Sequence, residues 1–187
     1  MGKKLIVSLL AVLMLSTTIA GVARAQAPAP KNTIVQAEPV GGDSRQAPGT
    51  LFVIERSKNA NVVAYEVRQG PAGFDVKEPV RARWLMLDTD GHVEDLTKLE
   101  KKVYGVKVKH ASYTEVSFAI SALPDREITV RPSESGPEAI VDIGGVPARL
   151  ESVYVSSSEG LVPKVKWVEM KGRSLADGSI VTERITR

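Results

Sequence analysis

"VRARWLML", Val80 to Leu87, decides how this chain is read. Taken two by two, Val80, Ala82, Trp84 and Met86 make one face, while Arg81, Arg83, Leu85 and Leu87 make the other. That alternation belongs to a β-strand and not to a helix. The first face is apolar throughout and belongs to a core. The second begins charged and ends aliphatic, so it should be solvated or salt-bridged at Arg81 and Arg83 and buried toward Leu87. β-rich runs recur at 51–56, 62–68, 113–120, 127–131, 139–143, 148–156, 164–171 and 179–185. Between them stand the turn signals Asp90-Gly91, Pro124-Asp125, Gly144-Gly145 and Asp177-Gly178, which fit chain reversals between paired strands. One stretch, Glu94 to Tyr104, departs from the pattern: Leu96, Leu99 and Val103 repeat at helical spacing, Thr97 and Glu100 stand as a capping box, and Gly105 supplies a left-handed stop. The expected fold is mostly β, an antiparallel β-sandwich or partly open barrel of about nine strands with one short amphipathic helix.

The β-rich region fills residues 50–187, the size of a single domain. Ahead of it, residues 26–49 are rich in Pro, Ala and Gly and sustain no period, which reads as a disordered linker. Thr33-Ile34-Val35 holds its only adjacent bulky aliphatics, and an edge strand built there is the alternative. Residues 1–25 have the order of a secretory signal peptide: Lys3 and Lys4, an apolar run from Leu5 to Leu15, then Ala23-Arg24-Ala25 before the cut. An uncleaved membrane anchor is the competing reading; the polar second half and the small-x-small ending weigh against it. The expected location is periplasmic or secreted, with no stable membrane anchor after cleavage. Cleavage removes Lys3, Lys4 and Arg24 but no acid, taking 25 bases and 22 acids to 22 of each. A neutral chain offers no bulk charge for nucleic acid or anionic lipid.

The inventory for catalysis is thin. No cysteine is present, which excludes thiolate nucleophiles, thiolate zinc sites and redox dithiols. Ser57 with His92 or His110 has no supporting motif, and the acids are scattered among bases on polar strand faces. No cofactor is implied. The turn Asp88 to Asp95 gathers hard oxygen ligands, Asp88, Asp90 and Glu94, around Gly91, but it departs from a calcium loop in its spacing, and a hairpin or helix-start turn explains the same letters. Arg81 and Arg83, two apart, could clamp an anionic group. Trp84 and Trp167 each alternate with aliphatics and read as core. The polar cluster Glu55 to Asn61 reads as a hairpin turn, with Asn59 and Asn61 suited to left-handed backbone. Arg56 is not explained by a turn, because it shares a face with Phe52 and Ile54 and needs a partner there.

Several short motifs occur together: Arg56-Ser57-x-Asn59-x-Asn61, Pro79-Val80 leading to Trp84, Leu96 with Tyr104-Gly105, and a closing Glu183-Arg184-Ile185. In this combination the chain resembles the bacterial secreted domain-of-unknown-function family 4833 across most of 51–187. Arg83 stands where that family often has tyrosine. The resemblance implies export and a single domain, and it implies no activity.

The expectation for function is an exported, non-catalytic β-domain that binds an envelope or extracellular partner or a small ligand. Arg56, Ser57, Asn59, Asn61, Arg81 and Arg83 are the candidate contacts. The alternative is an envelope hydrolase or other enzyme that uses carboxylates or a serine, which would need the dispersed acids to converge in a pocket.

Overall fold

The computed structural model describes residues 49–56, 59–157 and 165–186; residues 1–25, where a signal peptide is expected, nearly all of 26–49, where a linker is expected, and Ser57 lie outside them. The described residues form thirteen strands and one short helix. In chain order these are β1 (Thr50–Arg56), β2 (Asn59–Val67), β3 (Gln69–Gly70), β4 (Gly73–Phe74), β5 (Val80–Leu85), β6 (Val93–Asp95), α1 (Lys101–Tyr104), β7 (Val106–Ala111), β8 (Val116–Ile120), β9 (Leu123–Ser133), β10 (Gly136–Ile143), β11 (Val146–Ser157), β12 (Val165–Ser174) and β13 (Ile180–Thr186). The mostly β fold and the nine expected runs are present. The four further strands are β3, β4, β6 and β7, all short or at an edge.

Eleven strands form one open sheet in the order β6-β5-β2-β1-β11-β10-β9-β8-β7, with β12 and β13 attached through β11. The pairing is antiparallel except between β1 and β11, which run parallel with Val53 opposite Ser152 and Arg56 opposite Val155. β11 changes neighbours along its length. Its residues Val146–Arg149 pair with β10, its residues Ser152–Val155 pair with β1, and β12 pairs with it from Ala148 to Ser157. The two arms of the sheet therefore leave β11 at different points and face each other across a shared interior. Phe52 of β1 stacks on Tyr65 of β2 at 4.5 Å between centroids and on Phe118 of β8 at 6.4 Å. All three rings are fully buried, and each such side chain contributes about 1.5–3 kcal/mol of apolar burial.

The helix is shorter than the sequence suggests. Val93–Asp95 pairs with Leu85–Arg83 of β5 instead of opening a helix, because ladder bonds to a buried strand outweigh a weak local propensity. Of the expected apolar stripe only Leu96 is buried; Leu99 is 72 % exposed and Val103 41 %, and Tyr104 takes the inward position instead. The capping box is formed: Thr97 N and Oγ1 donate to Glu100 Oε2 at 2.8 and 2.7 Å, and Glu100 N donates to Thr97 Oγ1 at 3.3 Å. Gly105 is not a left-handed stop, since its backbone is extended at φ −63° and ψ 150°. It must be glycine for a different reason: a Cβ there would collide with the carbonyl oxygen of Lys101.

The hairpin β3–β4 folds over toward β7 and β8. Phe74 N donates to the Tyr113 carbonyl at 2.9 Å, and Gly73, at φ 119°, lies so close to that carbonyl that no side chain fits. Trp84 is in the core as expected, but Trp167 is on the outer face of β12. There it stacks with Tyr154 at 5.3 Å on one side and lies 4.0 Å from the Arg184 guanidinium on the other, a cross-strand ladder that Glu169 completes by accepting from Arg184 Nε and Nη2.

Candidate functional site

Four of the motif positions meet at one place. Arg56, the last residue of β1, sets its guanidinium 5.7 Å from the centroid of the Trp84 ring. Trp84 meets Tyr104 edge to face at 5.7 Å and 71°, and its indole N–H donates to Glu100 Oε1 at 2.9 Å. Tyr104 is followed by Gly105, and its carbonyl accepts the buried hydroxyl of Tyr65 at 2.6 Å. These contacts fix α1 against β5 and β2. The partner expected for Arg56 is thus an aromatic face with a carboxylate behind it. Burial pushes the Glu100 carboxyl up, but the hydrogen bonds from Thr97 and Trp84 and the charge of Arg56 outweigh it and hold the group below the usual glutamate value. Burial drives both Tyr65 and Tyr104 upward, Tyr65 well above the ordinary phenol.

Beside this cluster the sheet is open. β6 covers β5 only at Arg83–Leu85, which leaves Val80–Ala82 without a ladder partner on that edge, and β7 ends the sheet path on the other side. Between the two edges runs a groove of about 400 Å³, lined by Val80, Arg81 and Ala82 on one wall and Val106 and Val108 on the other. Gly105 and Leu96 also border it, so the motif cluster holds the end of the groove in place. Lys77 enters from the segment before β5 and Lys101 from α1. Arg81 turns its Nη2 to both oxygens of Asp95, at 2.8 and 3.0 Å, and Glu78, also on the lining, is ion-paired with Arg68. Among the described residues neither Lys77 nor Lys101 closes an ion pair. Lys77 and Lys101, from separate segments, thus line a space beside the Arg81–Asp95 pair whose two carboxylates are already engaged, an arrangement suited to an anionic group.

The candidate contacts read from the sequence are not brought together. Arg81 is in the groove. Arg83, on the same strand face, is half-buried and bonded through Nε and Nη2 to Glu66. Asn61 is buried, and its Oδ1 accepts from Asp88 N at 3.0 Å, tying β2 to the turn after β5. The hairpin is present, with Asn59 opposite Arg56 in the β1–β2 register, but Asn59 and Asn61 both lie in strand β2 and not in the turn where they were expected. Of the acidic turn, Asp88 is exposed, while Asp90 and Glu94 bracket His92: its Nδ1 lies 2.5 Å from Asp90 Oδ1 and its Nε2 2.8 Å from Glu94 Oε1. Glu94 and then Asp90 raise the His92 imidazole above its ordinary value, and His92 in turn lowers Asp90. Among the described residues, no group of three or more histidine or acidic side chains is arranged to hold a metal ion. Lys77 and Lys101 escaped the sequence reading. Neither sits in a pattern, and only the approach of β5 to β7 brings them into one lining.

No curated protein and no solved structure matches the chain. The motif residues Arg56, Trp84, Tyr104 and Arg184 all fall within one matched span. A family model described as Domain of unknown function (DUF4833) matches residues 52–184, and the chain belongs to that family.

Proposed function

We propose that the protein is an exported, non-catalytic β-domain that holds a small anionic ligand in the groove between β5 and β7. One observation carries this reading: Lys77, Arg81 and Lys101, from three separate segments, line the same open space of about 400 Å³, a volume within the range of small-ligand sites. The order of charged, apolar and small residues in 1–25 supports export. The ligand would be seated by charge and by the backbone groups of the two unpaired edges, with Val106 and Val108 supplying apolar contact.

The test is an amide chemical-shift titration with inorganic phosphate and, separately, with citrate. Shifts confined to Lys77, Arg81, Lys101 and Val106 are expected with at least one of the two, and they should vanish in Lys77→Ala/Lys101→Ala, which breaks no ion pair among the described residues. Uniform or absent shifts with both anions, or shifts that survive the double substitution, would overturn the reading.

A further inference from the structure

The two walls of the groove are sheet edges, and their backbones point into it. Ser121 N donates to the Gly105 carbonyl at 2.9 Å, and β7 then pairs with β8 in unbroken register through Val106, Lys107 and Val108. In an antiparallel ladder every second residue exchanges bonds with its partner, so Gly105 and Lys107 face β8 while Val106 and Val108 turn their N–H and C=O groups away from it. On the other wall, Arg68 N donates to the Pro79 carbonyl at 2.8 Å, and Val67 stands opposite Val80. By the same alternation Val80 turns its backbone away from β2. Among the described residues no hydrogen-bonding partner meets these outward groups of Val80, Val106 or Val108. The edge of β7 is also open to solvent: Val108 is 46 % exposed, and Lys107, Lys109 and His110 are exposed beside it. The unengaged charge around the groove is positive. Lys77 and Lys101 line it and Lys107 stands on β7, and among the described residues none of the three closes an ion pair, whereas Asp95 and Glu78 are held by Arg81 and Arg68.

We propose that the groove binds an extended peptide segment with acidic side chains, which adds to the edge of β7 as a further strand. The inference rests on the reading of the groove as an anion site and names the class of ligand that brings the anion. The peptide's carboxylates meet Lys77 and Lys101, and its backbone meets Val106 and Val108. A free carboxylate accepts from the edge N–H groups but offers no donor to the edge carbonyls. An extended chain supplies donors and acceptors in alternation, which is how a peptide joins an exposed sheet edge. Its alternate side chains fall on the face of Val106 and Val108, which give them apolar contact. A second copy of this chain fits less well, because β7 laid against β7 would crowd Lys107 and Lys109 of both copies, and like charges across a strand pair repel. Lysines on an edge strand guard against such self-pairing, while an acidic strand is attracted by the same charges.

The test titrates the full chain with a short capped peptide that alternates valine and glutamate, followed by amide NMR. Three controls accompany it: the same peptide with glutamine in place of glutamate, and two versions N-methylated at alternate amides in the two possible phases. N-methylation removes the donors from one edge of the peptide and leaves its charge unchanged. The glutamate peptide is expected to shift the amides of Val106 and Val108 and to slow their exchange, and the glutamine peptide should bind roughly tenfold more weakly. At least one methylated phase should abolish binding, and Lys77→Ala/Lys101→Ala should weaken it. Methylated peptides that both bind like the parent would mean that charge acts alone, and would overturn strand addition. Binding undiminished by the lysine substitutions would overturn the placement in the groove. Protection of Val106 and Val108 that rises with protein concentration in the absence of peptide would assign the edge to a second copy. No binding of the glutamate peptide would overturn the proposal as well: shifts with phosphate or citrate in the same protein would then leave the small-anion reading standing, and their absence would remove both.

Discussion

The indole N–H of Trp84 donates to Glu100 Oε1 at 2.9 Å while the other oxygen of the same carboxylate closes the Thr97 capping box. One side chain thus starts α1 and fastens it to β5. Glu100→Ala removes both, and a lost cap of about 1 kcal/mol together with an unpaired, part-buried indole N–H should lower stability by about 2 kcal/mol. Glu100→Gln keeps an acceptor and should recover more than half of that in urea denaturation. A Glu100→Ala protein with the parent's midpoint would show that the link contributes nothing.

The same carboxylate makes stability depend on acid. Its folded value lies below the ordinary glutamate value of 4.5, so its contribution is fully present above the unfolded value and is lost as pH falls through the folded one. The parent should therefore lose stability on acidification below pH 4.5 more steeply than Glu100→Gln. Parallel pH–stability curves for the two proteins would contradict this.

How much of this was legible in the sequence depends on where each residue's partner lies. The face Arg81, Arg83, Leu85, Leu87 was readable as charged and then apolar, because period two is a local property of the strand, but its aliphatic end is half-buried, not buried. β7 was missed, for Val106–Ala111 alternates Val with Lys at an exposed edge, where burial imposes little contrast. The stretch from Glu94 to Tyr104 has helical spacing, yet Val93–Asp95 is drawn into the sheet by β5, a choice made by tertiary pairing. The parallel join of β1 to β11 couples residues about a hundred positions apart, and no local pattern encodes it. The groove is invisible for the same reason, since Lys77 and Lys101 acquire a common purpose only when β5 and β7 approach.

His92 between Asp90 and Glu94 should titrate above its ordinary value of 6.5, with Glu94 the stronger cause. Stability from this clamp is present below the unfolded value and is lost as pH rises through the folded one. In an NMR titration, Glu94→Gln should bring the His92 midpoint down further than Asp90→Asn. The reverse order would show that Asp90 is the dominant partner.

Gly105→Ala tests why that glycine is needed. Its φ of −63° is open to any residue, so a conformational requirement would predict little change. The collision of a Cβ with the Lys101 carbonyl predicts instead a loss of about 1–3 kcal/mol, as for other overpacked sites. Thermal melting decides between the two, and a parent-like midpoint would mean that α1 yields without cost.

Tyr65 and Tyr104 give the last prediction. The final carbonyls of a helix have no partner within it, and that of Tyr104 is capped by the Tyr65 hydroxyl at 2.6 Å in a buried site. Tyr65→Phe preserves the ring that stacks on Phe52 at 4.5 Å, so packing should survive while the carbonyl loses its donor. The expected cost is about 1–3 kcal/mol, the range for a buried polar group left unsatisfied, with faster amide exchange confined to α1 and the adjoining Gly105. Loosening spread across β1 and β8 would instead mean that the phenylalanine had disturbed the aromatic stack. A parent-like midpoint would mean that another donor reaches the Tyr104 carbonyl when Tyr65 cannot.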